Sequence, residues 1–210
     1  MMSTIILPSA PANTQDAKRY ANGMAEIRQR LGIARTAVAR IRETQNQDLV
    51  STETIFLQMR KVCELIAFGS LIANKELYSQ HYETFAEDWR LGRVVDKLRK
   101  VNPDFFPVPM SAPYEVAPGH KQVGPSLALS ITEGELVDLY NICGRILHSR
   151  NPFSTADATH QIGYTVDEWL ARLEGLLRWH RIQLVNGALW LVNLPESGNV
   201  HVTTAVPSNM

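Results

Sequence analysis

The stretch Ile182–Val206, IQLVNGALWLVNLPESGNVHVTTAV, decides the fold class. Here the apolar pattern leaves the helical period of 3.6 for the strand period of 2. Asn186-Gly187 reads as a hairpin turn of type I′, which requires φ > 0 at both positions. Pro195 to Gly198 makes the next turn, and Asn199–Val206 forms a third strand. After the hairpin turn, Trp190, Val192 and Leu194 are expected to face a helix, because that set holds the largest apolar residue. A three-stranded antiparallel meander is marginal alone, so it packs on the helix before it.

Working back from the meander, helices dominate. Thr165 with Glu168 is a capping box opening a helix to about His180, with Trp169, Leu173, Leu176 and Leu177 inward. The stretch Ile131–Phe153, ITEGELVDLYNICGRILHSRNPF, opens with a second capping box, Thr132 with Glu135. Leu136, Leu139, Tyr140, Cys143 and Leu147 then follow at steps of three and four, one stripe facing a core. Pro152 bars its predecessor from the α region, so this helix is expected to stop near Asn151. A first helix is read over Thr14–Thr44, with Arg28, Arg30, Arg35, Arg40 and Arg42 on a solvated face. A second, Thr52–Leu77, is apolar nearly all round and reads as the central helix. A third opens on a capping box of Thr84 with Glu87 and runs to about Lys100.

Residues 1–13 read as a disordered tail. Residues 14–180 form a helical domain, interrupted by a Pro-rich crossover over 101–130. Phe105, Phe106, Val108 and Tyr114 make that crossover too apolar for a free linker, so it is expected to be strapped in order over the helices. Residues 181–206 are the meander, on the same domain. The expected class is α+β, mainly α: a bundle of about five helices with a C-terminal three-stranded antiparallel β-meander.

Over its 210 residues the chain carries 21 Lys and Arg against 21 Asp and Glu, so no global charge draws it to nucleic acid or an anionic membrane. The start, MMSTIILPSAP, has no basic lead and only a short apolar run, unlike a secretory signal. The longest apolar run, Val62–Ala73, contains Glu64 and is too short to span a bilayer. Cys63 and Cys143 fall on apolar helix faces and read as free buried thiols. The expected location is the cytoplasm, without membrane attachment. The six histidines are scattered without metal-ligand spacing. A Gly-rich phosphate loop, a nucleophile elbow and a dinucleotide fingerprint are all missing from the sequence. Neither a metal nor a cofactor is expected, and no complete catalytic set is present.

Candidate binding residues gather at the end of the Ile131–Phe153 stretch. Asn141, Arg145 and His148 stand at i, i+4 and i+7, one row off the apolar stripe. Ser149, Arg150 and Asn151 follow at the helix exit. Arg60 and Glu64, an i, i+4 pair inside the central helix, must compensate one another. They are expected to face the row across a shared groove. Two readings of the row stay open: a solvated helix face whose Arg150 and His148 cap their own helix, and a site that binds phosphate or polarises a leaving group.

The segments FLQMRKVCELIAFGSLIAN, VNPDFFPVP, LYNICGRILHSRNPF and IQLVNGALWLV resemble a bacterial family of hypothetical proteins, some in mobile-element contexts. The resemblance covers roughly residues 52 to 204 and implies no activity. More distantly, the Arg60/Glu64 pair and the Arg145/His148 helix end resemble the HEPN superfamily of helical bundles, many of them metal-independent RNases in defence systems. That family's motif separates Arg from His by about four to six residues. Arg145 and His148 have only two between them, and the next histidine after Arg150-Asn151 is the distant His160. The primary expectation is a non-catalytic binding or assembly module with a protein partner or self-association. The alternative is an RNA-directed RNase, or an inactive relative, using Arg145 and His148.

Overall fold

The computed structural model describes residues 5–6, 14–44, 48–81, 90–118, 120–149, 161–184 and 187–205. The fold is α+β and mainly helical. Two long helices form its spine, α1 (Gln15–Glu43) and α2 (Leu49–Ala73). Thr14 caps α1 by accepting the Ala17 amide at 3.1 Å. Asp48 caps α2 by accepting the Ser51 amide at 2.9 Å, so α2 begins three residues before Thr52. The bond from the Ser51 amide, then that from its hydroxyl, outweighs burial and holds the Asp48 carboxyl below the usual carboxylate range.

The two helices run antiparallel and pack along their length. Arg30 reaches Gln58 at 2.9 Å, and the Tyr20 ring lies over Gly69, whose missing β-carbon leaves it room. As expected of a central helix, α2 buries Ile55, Met59, Val62, Cys63, Ile66 and Ala67. It stops at Asn74 rather than Leu77, and a short α3 (Lys75–His81) follows. Asn74 is fully buried. Its amide nitrogen donates to the Ser70 carbonyl at 2.9 Å, and its oxygen accepts from Asn102 at 2.8 Å. That pair closes the C-terminal ends of α2 and α4 (Leu91–Val101) together. The expected Thr84/Glu87 capping box lies outside the described residues.

Helices α5 (Glu133–Leu147) and α6 (Val166–Leu177) complete the bundle, each opened by its expected capping box. Helix α6 ends at Leu177, short of His180. Strand β5 starts at Trp179 because His180 alternates inward with Ile182. The arginines of α1 are only partly solvated. Arg35 pairs with Glu174 at 2.9 Å, and Arg28 donates to the Pro195 and Gly198 carbonyls at 2.9 and 2.8 Å.

The strands are β1 (Ile5–Ile6), β2 (Val108–Pro109), β3 (Tyr114–Ala117), β4 (His120–Val123), β5 (Trp179–Gln183), β6 (Leu189–Asn193) and β7 (His201–Ala205). The meander is present, and the crossover adds β2 to it, giving an antiparallel sheet of order β2-β5-β6-β7. A smaller antiparallel sheet, β1-β4-β3, is built from the crossover and the N-terminal segment. Ile5 and Ile6 pair with Val123 and Gln122, so this part of the expected disordered tail is an ordered strand. Trp190, Val192 and Leu194 join Trp169 and Leu173 in the helical core, as expected. Leu189 and Leu191 are equally buried on the other face, against Met110 and Val123. The large sheet is therefore a middle layer between the helices and the small sheet.

The hairpin closes differently from the type I′ expectation. The Leu184 amide donates to the Ala188 carbonyl at 2.8 Å and the Gly187 amide to the Leu184 carbonyl at 3.1 Å. That pattern is a three-residue loop ending in a left-handed residue. Gly187 has φ of 79°; Asn186 lies outside the described residues. A β-carbon at Gly187 meets nothing within 4 Å, so its cost is purely conformational. Gly187→Val is expected to lower stability by roughly 1–2 kcal/mol. An unchanged urea midpoint would show that the turn does not need a left-handed residue.

Candidate functional site

Helix α5 carries the candidate residues, and its first turn is tied into a polar cluster. Glu135 closes the capping box by accepting the Thr132 amide at 2.8 Å through Oε2. Its other oxygen accepts from the Tyr164 hydroxyl at 3.0 Å and from Arg172 at 3.4 Å. The Arg172 guanidinium also lies 3.8 Å from the centre of the Tyr164 ring. Burial works to raise the Glu135 pKa, but the bonds from Thr132 and Tyr164 and the charge of Arg172 outweigh it, and the net shift is downward. Trp169 donates its indole N–H to the Ile162 carbonyl at 2.8 Å and meets the Tyr164 ring edge-on at 4.9 Å. The 161–165 segment is thereby held against α5 and α6.

A cleft runs between this segment and the outer row of α5. Asp138, Asn141 and Arg145 line one wall; Gln161 and Tyr164 line the other, and Trp169 also contributes. Asn141 and Arg145 are thus brought together as expected. His148 is not in the row. The helix ends at Leu147, earlier than the expected Asn151, and His148 is its C-cap in an extended conformation (φ −75°, ψ 132°). The restriction imposed by Pro152 reaches only its neighbour, so it does not account for this earlier stop. His148 and Ser149 are exposed beyond the helix, while Arg150 and Asn151 lie outside the described residues.

Arg60 and Glu64 sit against a different row of α5. Arg60 donates to the Tyr140 hydroxyl at 2.6 Å, its guanidinium carbon 4.1 Å from that ring's centre. Its Nε is 3.5 Å from Glu64, which also receives Lys61 at 2.9 Å. Gly144 makes this approach possible: a β-carbon there would stand 2.7 Å from Arg60 Nη1. Arg60 and Glu64 therefore join α2 to α5, and neither lines the cleft that Asn141 and Arg145 share.

Cys63 and Cys143 are free and buried on these same two helices. Burial pushes the Cys143 thiol up to about 12, with the Arg60 charge opposing it. Burial, then the neighbouring Cys143 and Glu64, pushes the Cys63 thiol well above its ordinary value. Thiolate is the reactive form, so neither cysteine is expected to react with an aromatic disulfide reagent at mildly alkaline pH. Both should react in denaturant. Rapid labelling of either thiol in the folded chain would contradict the α2–α5 packing described here.

Among the described residues no group of His, Cys, Asp and Glu is arranged to hold a metal ion. No helix among them is long and apolar enough to cross a membrane. Sequence reasoning missed Gln161 and Tyr164, the far wall of the cleft. Their signal was weak: a tyrosine directly before a capping-box threonine. No family model, no curated protein and no solved structure matches the chain.

Proposed function

We propose that this protein is a non-catalytic binding or assembly module that engages a protein partner through the surface of residues 108–129. The observation that carries the reading is the exposure of apolar side chains on a backbone that is held in place. Leu127 is 102% exposed, Leu129 66%, Val116 55% and Tyr114 47%. The backbone beneath them is fixed by the Met110–Pro125 bridge, by the Ser111 amide on the Gly124 carbonyl at 2.8 Å, and by the Ile131 amide on Arg172. Phe105 anchors the start of the segment in the core, fully buried. Strand β3 ends its sheet, an arrangement to which a partner strand can add. Apolar side chains exposed on an ordered backbone mark interaction surfaces. The free thiols favour a reducing compartment, so we place the module in the cytoplasm, in the bacterial mobile-element or defence setting that the sequence resemblance implies.

A photo-crosslinking amino acid at Leu127 or at Leu129 tests this in cells, with Arg19 on α1 as a remote position. Discrete adducts from the first two and none from Arg19 are expected; an adduct of doubled mass identifies self-association. No adduct from either leucine, or equal adducts from Arg19, overturns the reading. The alternative, an RNA-directed enzyme or inactive relative using Arg145 and His148, has less support. Arg145 shares its cleft with the Asp138 and Glu135 carboxylates, which repel phosphate, and His148 has left the helix. RNA cleavage by wild type, lost in a folded Arg145→Ala, His148→Ala variant, would reverse the order of the two.

A further inference from the structure

Strand β7, HVTTA, closes one end of the large sheet, and its outer edge is open. The phase of the hydrogen-bond ladder decides which groups lie on that edge. The Leu184 amide donates to the Ala188 carbonyl and the Leu194 amide to the Arg178 carbonyl, so the even-numbered residues of β6 turn their backbone groups to β5. The odd-numbered Leu189, Leu191 and Asn193 therefore bond β7, through Ala205, Thr203 and His201. The N–H and C=O of Val202 and Thr204 are left pointing outward, with no partner among the described residues. Val202 is only 7% exposed. Main-chain groups of a residue buried to that degree are nearly always paired, so this edge lacks something.

The usual devices that discourage strand addition are missing from β7. It runs five residues in unbroken register with β6, and it contains no proline, no lysine and no bulge. At the other end of the same sheet β2 has two residues, one of them Pro109. Helix α1 runs alongside β7 in the opposite direction. Ala17, Lys18 and Ala21 share a hollow of about 210 Å³ with Val200 to Thr203, and Thr14 shares one of about 370 Å³ with Thr204. Ala17 and Ala21, one turn apart, offer only methyl groups, which leaves the first hollow its space. Val202 lies opposite Val192 and Thr204 opposite Trp190, both in the helical core, so Val202 and Thr204 face the helices. A strand added to the edge turns the side chains opposite these two residues to the same side, one toward each hollow. Leu184 and Trp190 line the hollow at Thr204, which suits an apolar group. The lining of the hollow at Val202 includes Lys18 and no carboxylate, and Lys18 makes no ion pair among the described residues. Its neighbour Arg19 is paired with Asp16, 2.9 Å away.

We infer that the β7 edge binds an extended segment of a partner protein as an added antiparallel strand, with a carboxylate of that segment held by Lys18. Main-chain bonds to Val202 and Thr204 attach the segment, and the two hollows select its side chains. From its N-terminal end, the segment sets one apolar side chain opposite Thr204 and a second opposite Val202. Its acid follows on the same face, opposite Val200 and beside Lys18. A second copy of β7 fits less well, because HVTTA brings no carboxylate to Lys18. The edge lies at the far end of the large sheet from β2, so it is distinct from the surface of residues 108–129.

The test uses the full chain and the end-blocked peptide Gly-Ser-Val-Thr-Val-Thr-Glu-Ser-Gly, with amide exchange read residue by residue by NMR. Peptide at about 1 mM is expected to slow exchange of the Val202 and Thr204 amides by about tenfold or more. The Thr203 amide, already bonded to β6, should not change. The same peptide with Lys in place of Glu should bind about tenfold more weakly, and Lys18→Glu should reverse that preference. Thr204→Pro removes an outward donor and leaves the bonds to β6, so the variant should keep the wild-type circular dichroism and bind about tenfold more weakly or worse. If it melts early, Ala21→Leu fills the first hollow from the helix, leaves the strand intact and should block binding. No protection of Val202 and Thr204 by the peptide overturns the proposal, as does protection indifferent to the charge swap. So does protection without peptide that rises with protein concentration together with a dimer mass, since a second copy then holds the edge. The crosslinking result at Leu127 and Leu129 concerns a different surface and decides nothing here.

Discussion

Acidification from about pH 6.5 to about pH 4 is expected to remove roughly 3 kcal/mol of stability through His180 alone. The ring is fully buried. Its Nδ1 bonds the Leu177 carbonyl at 2.9 Å, which can only accept, so Nδ1 carries the proton. Nε2 must then accept from the Tyr20 hydroxyl, 2.7 Å away. Protonating Nε2 would place a charge in the buried core and turn the Tyr20 hydroxyl from donor to acceptor, taking from its own proton the acceptor it has now. Burial accordingly lowers the His180 pKa to about 4, the Leu177 bond opposing it, and the same burial raises the Tyr20 hydroxyl far above its usual value. The unfolded chain takes up its proton near pH 6.5, the folded chain only near pH 4. In that window the unfolded state holds more protons, so stability is complete above about pH 6.5 and falls as pH is lowered toward 4. Carboxylates with depressed pKa values, such as Glu135, begin to lose their contribution near pH 4.5, where the unfolded chain protonates, and lose it fully as pH falls through their folded values, so the His180 slope is read above about pH 5. Urea unfolding at intervals from neutrality to about pH 5 should show the slope in wild type and a flat line in a folded His180→Gln variant. A flat wild-type profile would mean that the imidazole is not sealed from water.

The second large effect is steric. A β-carbon at Gly175 would stand 1.9 Å from the Leu129 carbonyl oxygen and 3.1 Å from its carbon. Those atoms are backbone and cannot rotate aside. The segment cannot lift easily either, since Ile131 donates to the Arg172 carbonyl at 3.2 Å and Arg172 donates to the Ser130 carbonyl at 3.2 Å. Gly175→Ala is therefore expected to cost about 2–3 kcal/mol, although alanine is the better helix former by about 1 kcal/mol. Gly134→Ala is the control: a β-carbon there meets nothing within 4 Å, and the change should be neutral or slightly stabilising. Equal behaviour of the two variants would show that residues 128–131 do not rest on α6. The same substitution should also disturb the Leu127–Leu129 surface on which the proposed function depends.

What was legible in the sequence was local. Thr132 with Glu135 and Thr165 with Glu168 are spaced by the geometry of one helical turn, and both boxes form with both reciprocal bonds. The choice of the helix-facing side of β6 also followed from period alone. What escaped was set by partners distant in sequence. Nothing near Ile5 announces Val123, and nothing near Val108 announces Arg181. The unbroken run Leu189–Val192 did carry a signal for a strand covered on both faces, which a strictly alternating reading overlooks. In the candidate site, the helical period put Asn141 and Arg145 on one wall. The placement of Arg60 on Tyr140 depended on how α2 and α5 cross, and pattern does not encode that.

The Tyr20–His180 bond joins residues 160 positions apart, and this has a bearing on synthesis. A nascent chain can close the α1–α2 hairpin as soon as Ala73 has left the ribosome, since both of its helices are then complete and their mutual contacts, such as Arg30 with Gln58, need nothing later in the chain. The sheet that covers Tyr20 requires β6, whose Trp190 ring lies 5.6 Å from the Tyr20 ring, and β6 is made on the order of ten seconds later at ordinary elongation rates. Through that interval the inner face of the hairpin is open to chaperones and to other growing chains. Strands made more than 100 residues after α2 are the ones that end this exposure.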